Sequence, residues 1–336
     1  MASIGIIGTG TWGTAISVLL NDSGHDVTLC SASGRDVQEL IRTRRQKNLP
    51  DITLDAGIRI TDSLKEACGE KDIIVLAVPS IYIRQTAERI IPFVRYGQVI
   101  VSAAKGIEEE TLLTMSSVIS EELPNAEVCA LSGPSHAEEV SRGLPTTCVI
   151  AADRRKTAEY VQSVFMSPRF RVYTNADLAG VEIGGALKNV IALAAGMADG
   201  LNYGDNAKAA LITRGISEIT RLAEKMGCRK ETINGLAGTG DLIVTCASMH
   251  SRNRRAGILI GQGKSMKEAM AEVNMVVEGV YAAKAGHLLA EKYHCEMPIV
   301  EQVNRILFEG KNAGEAVKEL MIRDRSSESA EEDWKA

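Results

Sequence analysis

A glycine-rich loop near the start of the chain constrains the fold more than any other feature. Gly8, Gly10 and Gly13 have the spacing G-x-G-x-x-G, between the apolar run "SIGII" and a stretch from Thr14 to Leu20 with helical periodicity. A second apolar run, "DVTLC", follows at the distance expected for a βαβ unit. This order predicts a doubly wound parallel sheet with a dinucleotide at the loop; a glycine turn without a ligand is the alternative.

Each glycine has a physical reason in such a loop. Gly8 permits the tight turn out of the strand, Gly10 lets the backbone approach a pyrophosphate, and Gly13 lets the helix pack on the sheet. The anion would lie at the helix N-terminus, where unpaired N–H groups and the helix dipole favour negative charge. The loop therefore predicts a dinucleotide ligand.

Size and charge narrow the class of protein. The chain has 336 residues, long enough for two domains, and a formal net charge of −5. An acidic chain argues against nucleic acid as a partner, and the basic cluster "RTRRQK" at 42–47 is more typical of a solvated helix face. No spacing of histidines or cysteines predicts a metal site.

Cysteines and apolar runs indicate the compartment. The seven cysteines include no C-x-x-C and lie mostly in apolar runs, which is typical of core thiols in a reducing compartment. The first strand begins near Ser3, and the longest apolar run, "VIALAAGMA" from Val190, is too short to cross a bilayer. A cytoplasmic protein without a membrane span is expected.

The two halves of the chain differ in pattern. Strand-like runs in the first half end in small or polar residues: "DIIVLAVPS", "QVIVSAAKG", "EVCALSGPS" and "TTCVIAA" followed by Asp153. After about residue 175 the periodicity is helical. We predict an α/β protein with a Rossmann-type, mostly parallel sheet over 1–180, an all-α domain over 181–322 and a disordered tail over 323–336. Ligands are expected where the strands end.

The second strand bears on the type of nicotinamide cofactor. An NAD-selective loop usually has Asp or Glu at the carboxyl end of this strand, but here Cys30 and Ser31 occupy it. Asp26 begins the strand, about 13 Å too far away at roughly 3.3 Å per residue. Ser31, Ser33 and Arg35 would suit a 2′-phosphate, which favours NADP, with dual use of NADP and NAD as the second expectation; a plain polar turn is the alternative.

Lys188 is the best candidate for catalysis in the helical half. Its neighbours three and four residues away include Gly184, Gly185 and Ile191, so the ammonium group lies on a small, apolar helix face. Burial there would lower its pKa towards a range useful for acid/base chemistry. The alternative is a buried stem with the amine reaching solvent. Asn189 beside it would orient a substrate oxygen or cap a loop.

Two further motifs add charge to the helical half. "GLAGTGDLIVTC" is a glycine-rich loop that presents Asp241, and "SRNRR" offers Arg252 and Asn253. A carboxylate beside a lysine would hold it and tune its proton affinity, and a planar guanidinium suits a phosphate. The alternatives are a helix N-cap for Asp241 and a solvated basic face for the arginines.

Together these motifs carry a resemblance. Eight motifs occur in order between residues 8 and 280, within a match that runs from residue 4 to about 322: "GTGTWGTA", "AAKGI", "LSGPSHAEEV", "GGALKNV", "NAKAALITRG", "GLAGTGDLIVTC", "SRN" and "VVEGV". In these segments the chain resembles the NAD(P)-dependent glycerol-3-phosphate dehydrogenases of bacterial type. The resemblance implies an oxidoreductase that interconverts dihydroxyacetone phosphate and sn-glycerol 3-phosphate and supplies the glycerol backbone of phospholipids. A homodimer formed through the helical domain is compatible with it.

The resemblance also implies roles for individual residues. Lys188 would exchange the proton at the reacting oxygen. The expected substrate-binding residues are Lys105, Gly133, Ser135, Lys188, Asp241, Ser251, Arg252 and Asn253. With the loop residues argued above, the expected cofactor-binding residues are Gly8, Gly10, Thr11, Trp12, Gly13, Ser31, Lys105, Ala137, Arg252, Val276 and Glu278.

One departure and two alternatives stay open. The family commonly has Trp after "VTL" and a basic residue soon afterwards, where this chain has Cys30 and Ala32. The adenosine end of the site is therefore expected to be looser. A β-hydroxyacid dehydrogenase of the 6-phosphogluconate type would combine similar domains with a lysine. A non-catalytic dinucleotide sensor would keep the glycine loop without needing Lys188, Asp241 and Arg252 together.

Overall fold

The N-terminal half is built on one sheet. The structure, a computed structural model, describes residues 1–34 and 37–324. Arg35 and all but the first two residues of the tail predicted over 323–336 lie outside this range. Within it, the strands are β1 (Ser3–Ile7), β2 (Asp26–Cys30), β3 (Arg59–Thr61), β4 (Ile73–Leu76), β5 (Val99–Ser102), β6 (Glu127–Ser132), β7 (Thr146–Ala152) and β8 (Phe170–Asn175).

Helices connect these strands and cover both faces of the sheet. They are α1 (Thr11–Asp22), α2 (Val37–Thr43), α3 (Leu64–Cys68), α4 (Ile83–Ile90), α5 (Met115–Glu122), α6 (Ala137–Val140) and α7 (Arg155–Phe165), with 3₁₀ turns at Ser80–Tyr82 and Ile91–Phe93. Because a strand alternates its side chains, each central strand feeds two cores. Ile73 and Val75 of β4 pack in the core with α1, whereas Ile74 and Leu76 pack in the core with α4. Burial on both faces explains the continuous apolar runs.

The sheet confirms the predicted class and corrects one detail. The described strands form an eight-stranded sheet in the order β3-β2-β1-β4-β5-β6-β7-β8. All neighbours are parallel except β6 and β7, which are antiparallel. The carboxyl ends of β7 and of its parallel neighbour β8, and Asp153 after β7, therefore lie at the edge opposite the carboxyl ends of β1 to β6. The interpretation of "TTCVIAA" as a strand that ends at the ligand edge is wrong.

Two strands have no counterpart in the sequence prediction. β3 is only three residues long, too short for a periodic signal. In β8, the burial alternates between buried and exposed residues over most of its length. An edge strand with one exposed face lacks the continuous apolar run that marks the central strands.

The C-terminal half is helical, as predicted. Its helices are α8 (Leu178–Gly200), α9 (Gly204–Lys225), α10 (Lys230–Ile233), α11 (Asp241–Ala247), α12 (Arg252–Gly261), α13 (Met266–Val273), α14 (Glu278–Lys292), α15 (Pro298–Phe308) and α16 (Ala313–Met321). The segment predicted as a glycine-rich loop is instead a π-helical turn, Leu236–Gly240. The N–H of Gly240 donates to the carbonyl of Gly235 at 3.1 Å, which is the i to i+5 spacing of that turn.

Helix α8 is the centre of this half. By length and composition alone it is long and apolar enough to cross a membrane. However, 89% of its apolar window is buried inside the protein, as in a core helix. Helices α9, α11, α12, α14 and α15 pack around it. The predicted boundary near residue 180 stays a prediction; β8 ends at Asn175 and α8 begins at Leu178.

Glycines set the distance between α8 and α12. A Cβ atom added to Gly196 would lie 2.2 Å from the carbonyl oxygen of Arg254, and one on Gly257 would lie 2.2 Å from that of Leu193. Both contacts are with backbone, which cannot rotate away. This close approach places Arg252 and Asn253, at the start of α12, against the side of α8.

We predict that Gly257→Ala destabilises the protein. Alanine usually improves a helix by about 1 kcal/mol over glycine, but here the backbone clash should outweigh that gain and cost about 1–3 kcal/mol. The measurement is the thermal unfolding midpoint. Gly240→Ala is the matched control, because a Cβ there meets its nearest atom at 3.6 Å, an ordinary contact. A higher midpoint for Gly257→Ala would contradict the close packing.

Candidate active site

Two adjoining clefts lie where the carboxyl ends of the first strands face the helical half. The first cleft has a volume of about 350 Å³ and is lined by residues of both halves. The second cleft, of about 440 Å³, extends from the glycine loop over the end of β2. Gly10, Ala77, Val78 and Pro79 line both clefts. An elongated ligand could therefore occupy both.

Most residues predicted for the site come together here. The first cleft is lined, among others, by Gly10, Thr11, Trp12, Lys105, Ser135, Ala137, Lys188, Asp241, Ser251, Arg252, Asn253, Val276 and Glu278. Gly8 and Ser31 line the second cleft. Gly13 and Gly133 line neither of the two. Gly13 faces the carbonyl of Gly8, and Gly133 presents its own carbonyl to two neighbours, Lys105 and Ser135.

The glycine loop has the shape that a dinucleotide needs. Helix α1 begins at Thr11, three residues before the predicted start, so its N-terminus directly adjoins the loop. Gly8 has a φ of +125°, and its N–H donates to the carbonyl of Cys30 at 2.8 Å. A Cβ at Gly10 would meet nothing within 4 Å and would occupy the open cradle in front of α1. This cradle fits a pyrophosphate held by backbone N–H groups.

Asp26, which the sequence places too far from the cofactor ribose, lies at the amino end of the strands. Asp26 accepts a hydrogen bond from the Ser3 hydroxyl at 2.8 Å and pairs with Lys71 at 3.6 Å. Both partners are at the amino end of the strands. Asp26 therefore has no contact with either cleft.

A buried carboxylate shared by two lysines forms the centre of the site. The Oδ1 of Asp241 accepts from Nζ of Lys188 at 2.9 Å, and its Oδ2 accepts from Nζ of Lys105 at 2.5 Å. Lys105 also donates to the carbonyl of Gly133 at 2.8 Å. Asp241 and Lys188 are only 2% and 5% exposed. The alternatives of a simple helix cap for Asp241 and a solvent-reaching amine for Lys188 are not what the structure shows.

The surrounding charges adjust the pKa values of Asp241 and Lys188. Burial alone would raise the pKa of Asp241, but the ammonium groups of Lys105 and Lys188 outweigh it and hold that pKa below its usual range. Burial lowers the pKa of Lys188 to about 8, and the charge of Asp241 opposes this lowering. Lys188 can therefore exchange a proton near neutral pH, as a general acid or base must.

Thr245 completes the surroundings of Lys188. Its hydroxyl accepts from Nζ of Lys188 at 2.6 Å and donates to the backbone carbonyl of Asp241 at 2.6 Å. Sequence reasoning missed this residue. The available signal was its position four residues after Asp241, which places both side chains on one face of α11.

Asparagine side chains hold α8, α12 and α14 in register. The Nδ2 of Asn253 donates to Oδ1 of Asn189 at 2.8 Å, and Oδ1 of Asn253 accepts from the N–H of Gly279 at 2.9 Å. Asn189 in turn donates from Nδ2 to the carbonyl of Gly185 at 3.4 Å. This network fixes both side chains at the wall of the cleft.

Charged groups of α12 and α14 line the remaining wall. Burial lowers the pKa of Arg252, although Glu278 opposes that shift. The described residues provide Arg252 with no ion pair closer than 4.0 Å. Glu278 instead accepts from the Ser80 N–H at 3.0 Å and from the Ser80 hydroxyl at 2.5 Å, which ties α14 to the loop after β4. Ser251 caps α12 by accepting from the Arg254 N–H at 3.2 Å.

His136 is a further residue that sequence reasoning did not assign to the site. It lines the first cleft, and its Nε2 is buried without a hydrogen-bond partner among the described residues. Burial lowers its pKa, and the charge of Lys188 lowers it further. A neutral imidazole is therefore present beside the lysines at neutral pH.

Family models cover both halves of the chain. The model for the NAD-dependent glycerol-3-phosphate dehydrogenase N-terminus matches residues 3–158, and the one for the C-terminus of the same family matches residues 177–318.

Individual proteins are similar over the full length. A protein of Fusobacterium nucleatum named glycerol-3-phosphate dehydrogenase [NAD(P)+] is 58% identical over 98% of this chain and 99% of its own. One of the same name from Agathobacter rectalis is 57% identical over 100% of both. The crystal structure of glycerol-3-phosphate dehydrogenase from Coxiella burnetii superposes with a TM-score of 0.93 at 36% identity, covering 96% of this chain and 99% of that one.

We predict that Asp241→Asn lowers the pKa of Lys188 below about 8, because it removes the carboxylate that opposes the effect of burial. The measurement is titration of the lysine side-chain amines by nitrogen-15 NMR. Thr245→Val is the control, since it removes a hydrogen bond of Lys188 without removing a charge. An unchanged or higher pKa in Asp241→Asn would show that the carboxylate does not set the proton affinity.

Proposed function

Because this chain belongs to the NAD-dependent glycerol-3-phosphate dehydrogenase family, we infer that it interconverts dihydroxyacetone phosphate and sn-glycerol 3-phosphate with NAD(P)H. The observation that carries this inference at the level of the site is the buried Asp241 between Lys105 and Lys188. It lies beside a glycine loop shaped for a pyrophosphate. The product would supply the glycerol backbone of phospholipids.

We propose that Lys188 moves the proton at the reacting oxygen. As an ammonium group, it would donate to the alkoxide that develops at C2 of dihydroxyacetone phosphate; as a neutral amine, it would accept the hydroxyl proton in the reverse direction. A pKa of about 8 keeps both forms available near neutral pH. Asp241 and Thr245 orient the amine through the hydrogen bonds described above.

The cofactor site follows from the loop and its surroundings. NAD(P)H, when bound, supplies or receives the hydride. Backbone N–H groups at Gly10 and Thr11 would hold the pyrophosphate at the start of α1. Trp12, Ala137 and Val276 would line the nucleotide, and Glu278 would fix the loop after β4 through its two hydrogen bonds to Ser80.

Arg252 is the group proposed to bind the substrate phosphate. A planar guanidinium donates two parallel hydrogen bonds to phosphate oxygens, and this one lines the cleft. Ser251 and Asn253 flank it on α12, and Lys105 would add a second positive charge on the other side of the substrate. Holding the phosphate would place the ketone near Lys188 and increase the rate by orientation.

The buried charges argue against a non-catalytic sensor. Removing a carboxylate and two ammonium groups from water costs several kcal/mol per ion before their mutual attraction is counted. A protein that only bound a dinucleotide would gain nothing from this cost, because the glycine loop holds the pyrophosphate through backbone N–H groups. A β-hydroxyacid dehydrogenase is the second hypothesis for a Rossmann-type domain joined to helices with a buried lysine. Family membership favours the glycerol phosphate reaction over it.

We also propose a cytoplasmic homodimer. All seven cysteines are buried free thiols, which suits a reducing compartment. Phe308, Met321 and Ile322 are exposed apolar residues at the ends of α15 and α16, where a second copy would cover them. The division at about residue 180 into a cofactor domain and a substrate domain belongs to the same proposal.

Lys188→Met should reduce turnover about 10²–10⁴-fold, the usual contribution of general acid/base catalysis. Methionine keeps an unbranched, buried side chain, so affinity for NADPH should stay nearly unchanged. The measurements are oxidation of NADPH and of NADH with dihydroxyacetone phosphate, and NADPH binding by fluorescence. Lys156→Met, an exposed residue of α7, is the control. Full turnover in Lys188→Met would make Lys188 structural, and no oxidation by the unaltered protein would refute the proposed reaction.

The two directions of the reaction should respond to pH in opposite ways. Reduction needs Lys188 protonated, so its kcat should fall as pH rises through about 8. Oxidation of glycerol 3-phosphate needs the neutral amine, so its kcat should rise through the same pH. Initial rates between pH 6 and 10 test this. Profiles that change in the same sense in both directions would contradict the role of Lys188.

A further inference from the structure

The second cleft contains a cationic side chain that the sequence motifs do not mark. This cleft is lined by the glycine loop, by the turn after β2 and by one face of α4: Gly8, Thr9, Gly10, Ser31, Ala32, Ser33, Ala77, Val78, Pro79, Tyr82, Gln85, Thr86 and Arg89. In a doubly wound fold, the end of β2 is where the adenosine ribose of a dinucleotide is recognised. Arg89 is the cationic residue among these lining residues.

Arg89 reaches the turn after β2 from another element. It is exposed in the last turn of α4, and its Nη1 donates to the carbonyl of Ala32 at 2.6 Å. Burial raises the pKa of the Cys30 thiol to about 12, and Arg89 is the cation that opposes this shift. The guanidinium therefore lies across the turn in which Cys30 and Ala32 replace the Trp and the basic residue that are common in the family.

The other arginine of α4, Arg84, has its charge compensated in a way that Arg89 does not. Arg84 is bound by three carboxylates, those of Glu108, Glu121 and Glu122, at 2.6, 2.8 and 2.5 Å. Its charge is fully compensated within the protein. Arg89 makes its hydrogen bond to a neutral backbone carbonyl and forms no ion pair within 4.0 Å among the described residues.

Among the residues that the structure describes, the carboxylates nearest this turn lie outside the cleft. Asp62, directly after β3, and Glu66 of α3 act on the Cys30 thiol, but neither lines the cleft. A guanidinium has five N–H donors in a planar fork, and the hydrogen bond to Ala32 uses one of them. The remaining donors suit a dianionic phosphate better than a ribose hydroxyl, because hydrogen bonds between charged groups are roughly twice as strong as neutral ones.

We propose that Arg89, with Ser31 and Ser33 beside it, forms the subsite for the adenosine 2′-phosphate, so that the chain prefers NADP over NAD. This inference rests on the proposed function and deepens it. It assigns the cofactor preference to a residue of α4 rather than to the turn after β2 alone. The hydrogen bond to Ala32 would hold the guanidinium in place before the cofactor binds, which reduces the entropy lost on binding.

The first test compares cofactors in the reaction. Arg89→Gln should lower kcat/KM for NADPH about 10- to 100-fold, the range expected for loss of a charge-assisted phosphate contact. kcat/KM for NADH should change less than about two-fold, which also shows that the variant is folded. Arg155→Gln, an exposed arginine of α7 outside both clefts, is the matched control and should change neither value. Equal losses with both cofactors, or no loss with either, would overturn the proposal.

The second test does not depend on turnover. Calorimetry should show that the unaltered protein binds 2′,5′-ADP at least about 10-fold more tightly than 5′-ADP, and that Arg89→Gln removes this difference. If dihydroxyacetone phosphate were not reduced but this difference were present, the proposed reaction would fail and the subsite would stand. Equal affinities for the two nucleotides in the unaltered protein would refute the subsite, whatever the reaction.

Discussion

The carboxylate of Asp241 between two ammonium groups is the interaction on which the site depends. It compensates the charge of the buried Lys188 and the partly buried Lys105, with contacts of 2.9 and 2.5 Å. Without the carboxylate, the two positive charges would repel each other, and burial would lower the pKa of Lys188 further. With it, one lysine keeps a pKa of about 8. The same pairing therefore maintains the structure of the site and sets its chemistry.

Three different parts of the fold must meet for this interaction to form. Lys105 follows β5, Lys188 lies in the middle of α8, and Asp241 begins α11. The π-helical turn before Asp241 aims that residue back at α8, and the contact of Gly184 with Gly238 lets the turn approach the helix closely. Glycines let these backbones approach closely enough for the charged side chains to meet. Glycines have the same effect between α8 and α12.

The two clefts divide recognition between two kinds of contact. In the first, buried charges and a fixed asparagine network surround the space where a small phosphate ester would react. In the second, backbone groups and the exposed Arg89 face the space over the turn after β2. Bond making needs exclusion of water and fixed geometry. Recognition of a nucleotide's far end needs only charge and access, which an exposed arginine provides.

The sequence by itself determined the fold class, most of the central strands and the residue types of the site. The glycine spacing predicted the cofactor loop, the continuous apolar runs predicted a covered sheet, and the small residues around Lys188 placed its amine on an apolar helix face, because local spacing decides which side chains share a face. Only the tertiary structure decided which charges pair. Thr245, His136 and Arg89 belong to no long-range pattern, and the direction of β7 is not encoded in its own run. Contacts between distant segments depend on how helices and sheet pack, and the spacing of neighbouring residues carries no record of that packing.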